Sequence, residues 1–147
     1  MTQEEKELLL RDLCARLPYS VKISVKSWDE REWEYIDRVD VLYSVNGDEY
    51  IKSTNEDYDF SIEEIKPYLF PLSSMTEEQW NNAPRVNLTY FTFESLKCGC
   101  FTLASYTCEN NLHDLLEFIN WLLKNHFDVN GLIPLGLAKD ATGLNIY

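Results

Sequence analysis

Histidine, glycine and basic residues are all scarce in this 147-residue chain, and each scarcity closes off a class of chemistry. Only two histidines occur, His113 and His126. They stand thirteen residues apart, so they cannot form the i, i+4 pair of a helical zinc site. Nucleophilic catalysis needs a base beside the nucleophile, and no Gly-x-Ser-x-Gly or other nucleophile-turn pattern is present. The five glycines are scattered. They make neither a dinucleotide fingerprint nor a P-loop, so nucleotide-dependent chemistry has no motif behind it. No apolar run approaches the roughly 18–20 residues of a membrane-spanning helix. The opening Met1-Thr2-Gln3-Glu4-Glu5-Lys6 lacks the basic start of a signal peptide. The expectation is therefore a cytoplasmic protein that meets no membrane, in which the sequon Asn87-Leu88-Thr89 carries no glycan.

Thirteen basic residues face 25 acidic ones, a net charge of −12. The excess is local: residues 28–64 hold thirteen acidic residues against Arg31, Arg38 and Lys52. Such a surface repels nucleic-acid phosphates and disfavours direct binding of DNA or RNA. It reads as a solubilising face, or as a patch for a basic partner, including mimicry of nucleic acid toward a DNA-binding protein. Cysteine is limited to Cys14, Cys98, Cys100 and Cys108. In a cytosolic chain these are free thiols or ligands before they are disulfides.

What the chain does have is apolar and aromatic material, 45% and 14% of its residues, enough to build a core at this length. Thr2-Gln3-Glu4-Glu5 has the form of a capping box. A helix should run from there to about Leu17, with Leu9, Leu10, Leu13, Cys14 and Leu17 on the buried stripe. Val21, Ile23 and Val25 alternate with polar neighbours, as a half-buried strand does. Trp33, Tyr35, Val39, Val41, Tyr43 and Val45 occupy odd positions of a second, long strand. Asn46-Gly47 then signals a hairpin that would pair Val45 with Asp48, Tyr43 with Tyr50 and Val41 with Lys52. Ile62 and Ile65 point inward from a helical turn or a strand.

Residues 66–74 hold Pro67 and Pro71 and must be extended, as an edge strand or a strap carrying Tyr68, Phe70 and Leu72. Thr76-Glu77-Glu78-Gln79 repeats the capping box, for a short helix to about Ala83. Two further strands are expected on either side of a turn at 94–99. The last major helix follows Asn110-Asn111, with Leu112, Leu115, Leu116, Ile119, Leu122 and Leu123 on one stripe. Trp121 falls opposite that stripe and Phe118 off its edge. The whole predicts one α+β domain over 1–147: an antiparallel twisted sheet or small partly open barrel, packed by an N-terminal and a C-terminal helix. Residues 81–110 are a candidate inserted β-hairpin.

Three constellations bear on function. Cys98, Cys100, Cys108 and His113 offer three thiols and an imidazole, the donor set of a structural zinc site, although alternating strand cysteines serve equally as core. No other cofactor is implied. Carboxylates are abundant, but none is singled out for acid–base work. Trp121 and Phe118, together with Tyr68 and Phe70, are candidates for a partner surface, against the alternative of packing within the domain.

Three blocks of the sequence carry a likeness. They are Leu8-Leu9-Leu10-Arg11-Asp12-Leu13-Cys14-Ala15-Arg16-Leu17-Pro18-Tyr19, then Lys66-Pro67-Tyr68-Leu69-Phe70-Pro71-Leu72-Ser73-Ser74-Met75-Thr76-Glu77-Glu78, and Ile119-Asn120-Trp121-Leu122 with His126-Phe127-Asp128, Gly131-Leu132-Ile133 and Gly136-Leu137-Ala138. Together they resemble a family of short uncharacterised proteins of Bacteroides-type gut bacteria, their phages and mobile elements. The chain departs from that pattern at Val129-Asn130, where a Tyr-Arg pair is more usual. The resemblance implies an accessory protein of a mobile element acting inside the bacterial cell, and it carries no activity or site residue. The function expected is a small acidic, non-enzymatic protein-binding or adaptor protein, in its narrower form an inhibitor of a host nucleic-acid-binding or defence protein. The alternatives are a carboxylate-based hydrolase and a zinc-stabilised module.

Overall fold

A computed structural model describes residues 1–29, 31, 33–46, 50–55, 59–86, 92–98 and 111–147. The fold class is α+β, and the chain divides into two compact units. The first joins Met1–Leu69 to Asn130–Tyr147, and the second is Phe70–Val129.

The first unit opens with helix α1, Gln3–Arg16, started by the expected capping box. Thr2 Oγ1 accepts from the Glu5 amide at 3.2 Å, and Glu5 Oε2 accepts from the Thr2 amide at 2.7 Å. Its buried face is Leu9, Asp12, Leu13 and Arg16. Cys14, expected in the stripe, is exposed. The helix is turned because Asp12 and Arg16 satisfy each other one turn apart and can enter the core as a pair. Arg16 Nε donates to Asp12 Oδ2 at 2.6 Å and Arg16 Nη2 to Oδ1 at 3.1 Å, with both side chains fully buried. Asn130 Nδ2 completes the site on Asp12 Oδ1 at 2.8 Å.

Strands β1 (Lys22–Asp29), β2 (Glu34–Val45), β3 (Tyr50–Ser53), β4 (Phe60–Ser61), β5 (Lys66–Leu69) and β6 (Lys139–Asp140) form an open sheet in the order β4-β3-β2-β1-β5-β6. All pairs are antiparallel except β5 with β6. Val21, Ile23, Val25, Leu42, Ile51, Phe60, Ile62 and Ile65 bury their side chains with Leu9 and Leu13 of α1.

Two expectations are corrected in this sheet. The β2–β3 hairpin exists, but its register pairs Val45 with Ile51, Ser44 with Lys52 and Leu42 with Ser53. That shift buries Ile51 and Leu42 on the core side. Up to the register irregularity between Leu42 and Ser44 the even residues face the core and Tyr35, Val39 and Tyr43 are exposed, whereas Val45 beyond it packs on the core. Burial of one face sets register more strongly than a two-residue turn signal. The second correction concerns Lys66–Leu69, which is not an edge strand, because β6 lies beyond it. The β6 register takes in Tyr68 and Leu69 and stops short of Pro67, which has no N–H to give.

The β1–β5 ladder pairs Ile23 with Pro67 and Ser24 with Lys66. Its next pair in register would be Lys22 with Tyr68. There the Tyr147 hydroxyl intervenes, accepting from the Lys22 amide at 3.1 Å and donating to the Tyr68 carbonyl at 2.6 Å. Burial pushes its pKa up to about 12, against a smaller opposing pull from the Lys22 amide and Arg16. Tyr147→Phe leaves both backbone groups without that partner and should cost about 1–3 kcal/mol in denaturant unfolding. The folded phenol holds its proton more tightly than the unfolded one. The neutral hydroxyl's contribution is therefore complete below pH 10 and lost between pH 10 and about 12. Wild type should lose stability across that window, and the Phe variant should lack that part of the slope.

The second unit has its own core of Met75, Ala83, Leu96, Phe118, Leu122 and Phe127. Helix α2, Glu77–Asn82, begins at the expected Thr76–Gln79 capping box. Helix α3, Phe93–Lys97, stands where a turn between strands was expected, started by Thr92 and Ser95 in the same reciprocal arrangement. The two flanking strands of that expectation fall largely outside the described residues.

Helix α4, Asn111–Lys124, buries Leu115, Phe118, Leu122 and Leu123. It leaves Leu112 and Leu116 half or more exposed, at 57% and 50%. The core face is thus rotated away from the leucine stripe toward Phe118. The helix ends in a Schellman motif. His126 takes the left-handed position (φ 61°), its amide bonds the Leu123 carbonyl at 3.1 Å, and the Phe127 amide bonds the Leu122 carbonyl at 2.9 Å. Phe70 then pairs with this end: its amide donates to the His126 carbonyl at 2.9 Å, and the Asp128 amide donates to the Phe70 carbonyl at 2.8 Å.

Candidate functional site: an aromatic hairpin end beside a lysine groove

The outer face of the β1–β2 hairpin carries the residues that the core does not use. Register sets Trp28 opposite Tyr35, with Lys26 opposite Asp37 and Ser24 opposite Val39 behind them. Trp28 meets the edge of Tyr35 at 5.1 Å between ring centroids and that of Trp33 at 6.4 Å. These rings pack on one another and not on the interior: Trp33 is 78% exposed, Tyr35 70% and Trp28 43%. Trp33 also has φ of 53°, in the left-handed region, where a bulky residue pays about 1–2 kcal/mol. Strained residues of this kind concentrate at functional sites.

Next to the rings lie two adjoining cavities of about 460 and 410 Å³. The first is lined by Trp28, Tyr35, Asp59 and Phe60, and the second by Ser24, Asp37, Lys66 and Lys139 with Glu63; Lys26 and Glu64 line both. Lys139 Nζ donates to Asp37 Oδ2 at 2.7 Å and to Ser24 Oγ at 2.8 Å, and lies 5.6 Å from the centre of the Tyr68 ring. That hydrogen bond, with the charges of Lys139, Lys26 and Lys66, holds the Asp37 carboxyl below the usual range despite some desolvation. Partial burial pulls the Lys139 pKa down, but the Asp37 hydrogen bond and the charges of Tyr68 and Asp37 outweigh it and hold the pKa above the ordinary lysine value.

The geometry decides what this cluster can do chemically. A serine beside a lysine is a nucleophile–base pair only if the lysine is neutral. Lys139 is held protonated and donates to a buried Ser24, so it braces the serine and cannot deprotonate it. Among the described residues, the carboxylates with displaced pKa values are Asp37, Asp40 and Glu63, all displaced downward. They stay ionised at neutral pH and cannot serve there as general acids.

The acidic segment looks different residue by residue. Asp40 is buried. Its carboxylate accepts from the Val41 amide at 2.7 Å, Thr54 Oγ1 at 2.7 Å, and the Asn55 amide and Nδ2 at 3.1 and 2.6 Å. Burial works to raise its pKa, and the hydrogen bonds from Thr54, Val41 and Asn55 help to overcome it. Asp40 is thus a clamp on the chain after β3. Asp37 faces Lys139, Asp59 faces Lys52 at 3.3 Å, and Glu63 faces Lys6 at 2.8 Å.

The other sequence candidates separate. Cys98 is exposed at the end of α3, its thiol donating to the Ser95 carbonyl at 3.4 Å. His113 is exposed on α4 with Nε2 3.2 Å from Glu117 Oε1. Cys100 and Cys108 lie outside the described residues, and among the described residues no three His, Cys, Asp or Glu side chains are placed to hold a metal. Phe118 and Tyr68 are buried. Trp121 stacks on Phe118 and Phe127 at 6.2 and 6.0 Å, and Phe70 packs against Phe127 at 6.3 Å. These four side chains are packing residues of their own units and do not make an exposed aromatic surface.

Sequence reasoning missed the hairpin end because alternation gives the two faces of a strand without saying which is inside. It missed the groove because Lys26, Lys66 and Lys139 come from three distant segments with no shared motif. Among the described residues no helix is long and apolar enough to cross a membrane. Comparison with protein-family models, with curated proteins and with solved structures finds no match to this chain.

Proposed function

We propose that the protein is a non-enzymatic binding module that docks an extended apolar segment of a partner protein on Trp28, Trp33 and Tyr35. The observation that carries this reading is the exposure of three mutually packed aromatic rings at one hairpin end, one of them on strained backbone. Rings that pack only on one another still leave much of their apolar surface in water, and Trp and Tyr are the residues that dominate binding hot spots. The aromatic end is favoured over the acidic field as the contact because Asp37, Asp59 and Glu63 of that field are paired with lysines and Asp40 is buried. In this reading the protein works inside a bacterial cell as an accessory of a phage or mobile element, which rests on the likeness of its three sequence blocks to that family. A host nucleic-acid-binding or defence protein is the kind of partner such an accessory would have.

Immobilised wild type and a Trp33→Ala/Tyr35→Ala variant should be challenged with host lysate, and any protein retained only by wild type purified and rebound. Loss of a hot-spot aromatic typically costs 2 kcal/mol or more, so the double variant should bind that purified partner at least about 30-fold more weakly. The variant loses the two ring contacts to Trp28 and should be less stable by about 1–2 kcal/mol at most, so binding is compared without denaturant where both chains are folded by circular dichroism. Equal binding by the variant would remove this site from the reading.

A further inference from the structure

We infer that the groove beside the aromatic end captures the C-terminal carboxylate of the partner segment, with that residue's side chain seated on Trp28 and Tyr35. The inference rests on the binding reading above and names the chemistry of its ligand. Its first support is charge. In a chain of net charge −12, this groove gathers Lys26, Lys66 and Lys139 on one wall system. Asp37 is matched by Lys139, Glu63 by Lys6 and Asp59 by Lys52, which leaves, among the described lining residues, Lys26 and Lys66 against Glu64. Both lysines lie close enough to Asp37 to depress its pKa, so their charges converge on one region. A single negative charge fits that excess, and a phosphate dianion exceeds it.

The second support is adjacency. Lys26 lines both the polar cavity and the aromatic one. A ligand there must carry its anion and its apolar group within a few ångströms of each other. A terminal residue does so by construction, because carboxylate and side chain share one Cα. An internal Asp or Glu has no apolar group on the atom that bears its charge. Capture of a terminal carboxylate is an established mode of peptide recognition. Lys139 contributes as a positioning residue: its bonds to Ser24 and Asp37 fix the floor of the groove.

The test uses a pool of random hexapeptides ending in a free carboxylate, the same pool amidated at the C-terminus, and an amidated pool with one internal Glu. Retention on the full-length protein is read by mass spectrometry, and the best sequences are titrated by tryptophan fluorescence. Free-acid peptides ending in an aromatic or large aliphatic residue should be enriched. Amidation should weaken each at least tenfold, and Lys26→Gln/Lys66→Gln should do the same while leaving the denaturation midpoint unchanged. Added salt should weaken wild-type binding and have little effect on the variant. Equal retention of free-acid and amidated pools overturns the inference, as does preference for the internal-Glu pool or binding unaffected by the lysine substitutions. Should the terminal carboxylate prove irrelevant while Trp33→Ala/Tyr35→Ala still abolishes partner binding, the capture site falls and the binding module stands. A partner lost with neither pair would remove both.

Discussion

Asp12→Ala should destabilise the first unit by about 3–5 kcal/mol, a large share of the 5–15 kcal/mol that holds a typical domain. The reason is what it leaves behind. Arg16 is fully buried, and Asp12 answers two of its donors at 2.6 and 3.1 Å. Without the carboxylate a fully buried guanidinium loses the anion that neutralises it. Asn130 loses its acceptor as well, although Asn130 is exposed and can turn to water. The pair as a pair is a different matter. Desolvating two ions offsets most of their attraction, so Asp12→Leu/Arg16→Met should recover most of the loss. Urea midpoints of the two variants check this. A double variant no better than Asp12→Ala would mean that the pair stabilises in its own right beyond charge neutralisation.

That same pair shows where legibility ended. The capping boxes at Thr2–Glu5 and Thr76–Gln79 were readable because both partners lie within one turn of chain, and nothing elsewhere competes for them. The 3-10 turn at Ile62–Glu64 had the same kind of signal in Ser61 and Glu64, and its Ile62 and Ile65 point inward as expected. Asp12 and Arg16 carry an equally local i, i+4 signal. A charged pair at that spacing is nearly always on the surface, so the pattern alone argues for solvent. The partner that local spacing cannot show is Asn130, 118 residues away in the chain, whose Nδ2 donates to Asp12 Oδ1. The outer face of β2 failed for a related reason: alternation is symmetric, and the pairing of Leu42 with the buried Ser53, ahead of a register shift before Ser44, goes with the even residues being the inner set. The candidate site was illegible for both reasons at once. Its rings sit on a face that alternation leaves unassigned, and its lysines meet only through the sheet order β1-β5-β6.

Phe118→Ala should destabilise the second unit by about 3–5 kcal/mol, while Leu112→Ala and Leu116→Ala stay within about 0.5 kcal/mol of wild type. The leucine periodicity of α4 ranks these residues the other way round. Phe118 is 2% exposed; it meets the edge of Trp80 at 5.9 Å and stacks on Trp121 at 6.2 Å. Truncating it removes a ring and leaves a cavity lined by those indoles, Met75 and Leu122. Leu112 and Leu116 have half or more of their surface in water already, so little transfer free energy is at stake. The physical cause of the reversal is the set of aromatic partners. Trp80, Trp121 and Phe127 present broad flat surfaces, and one phenylalanine on α4 fills the space among them better than a leucine could. Denaturant midpoints, with loss of near-ultraviolet tryptophan signal from Trp80 and Trp121 as a second probe, check the order. Should Leu112→Ala prove the more damaging substitution, α4 would be packed on its leucine face, and Phe118 and Trp121 would return as candidates for a partner surface.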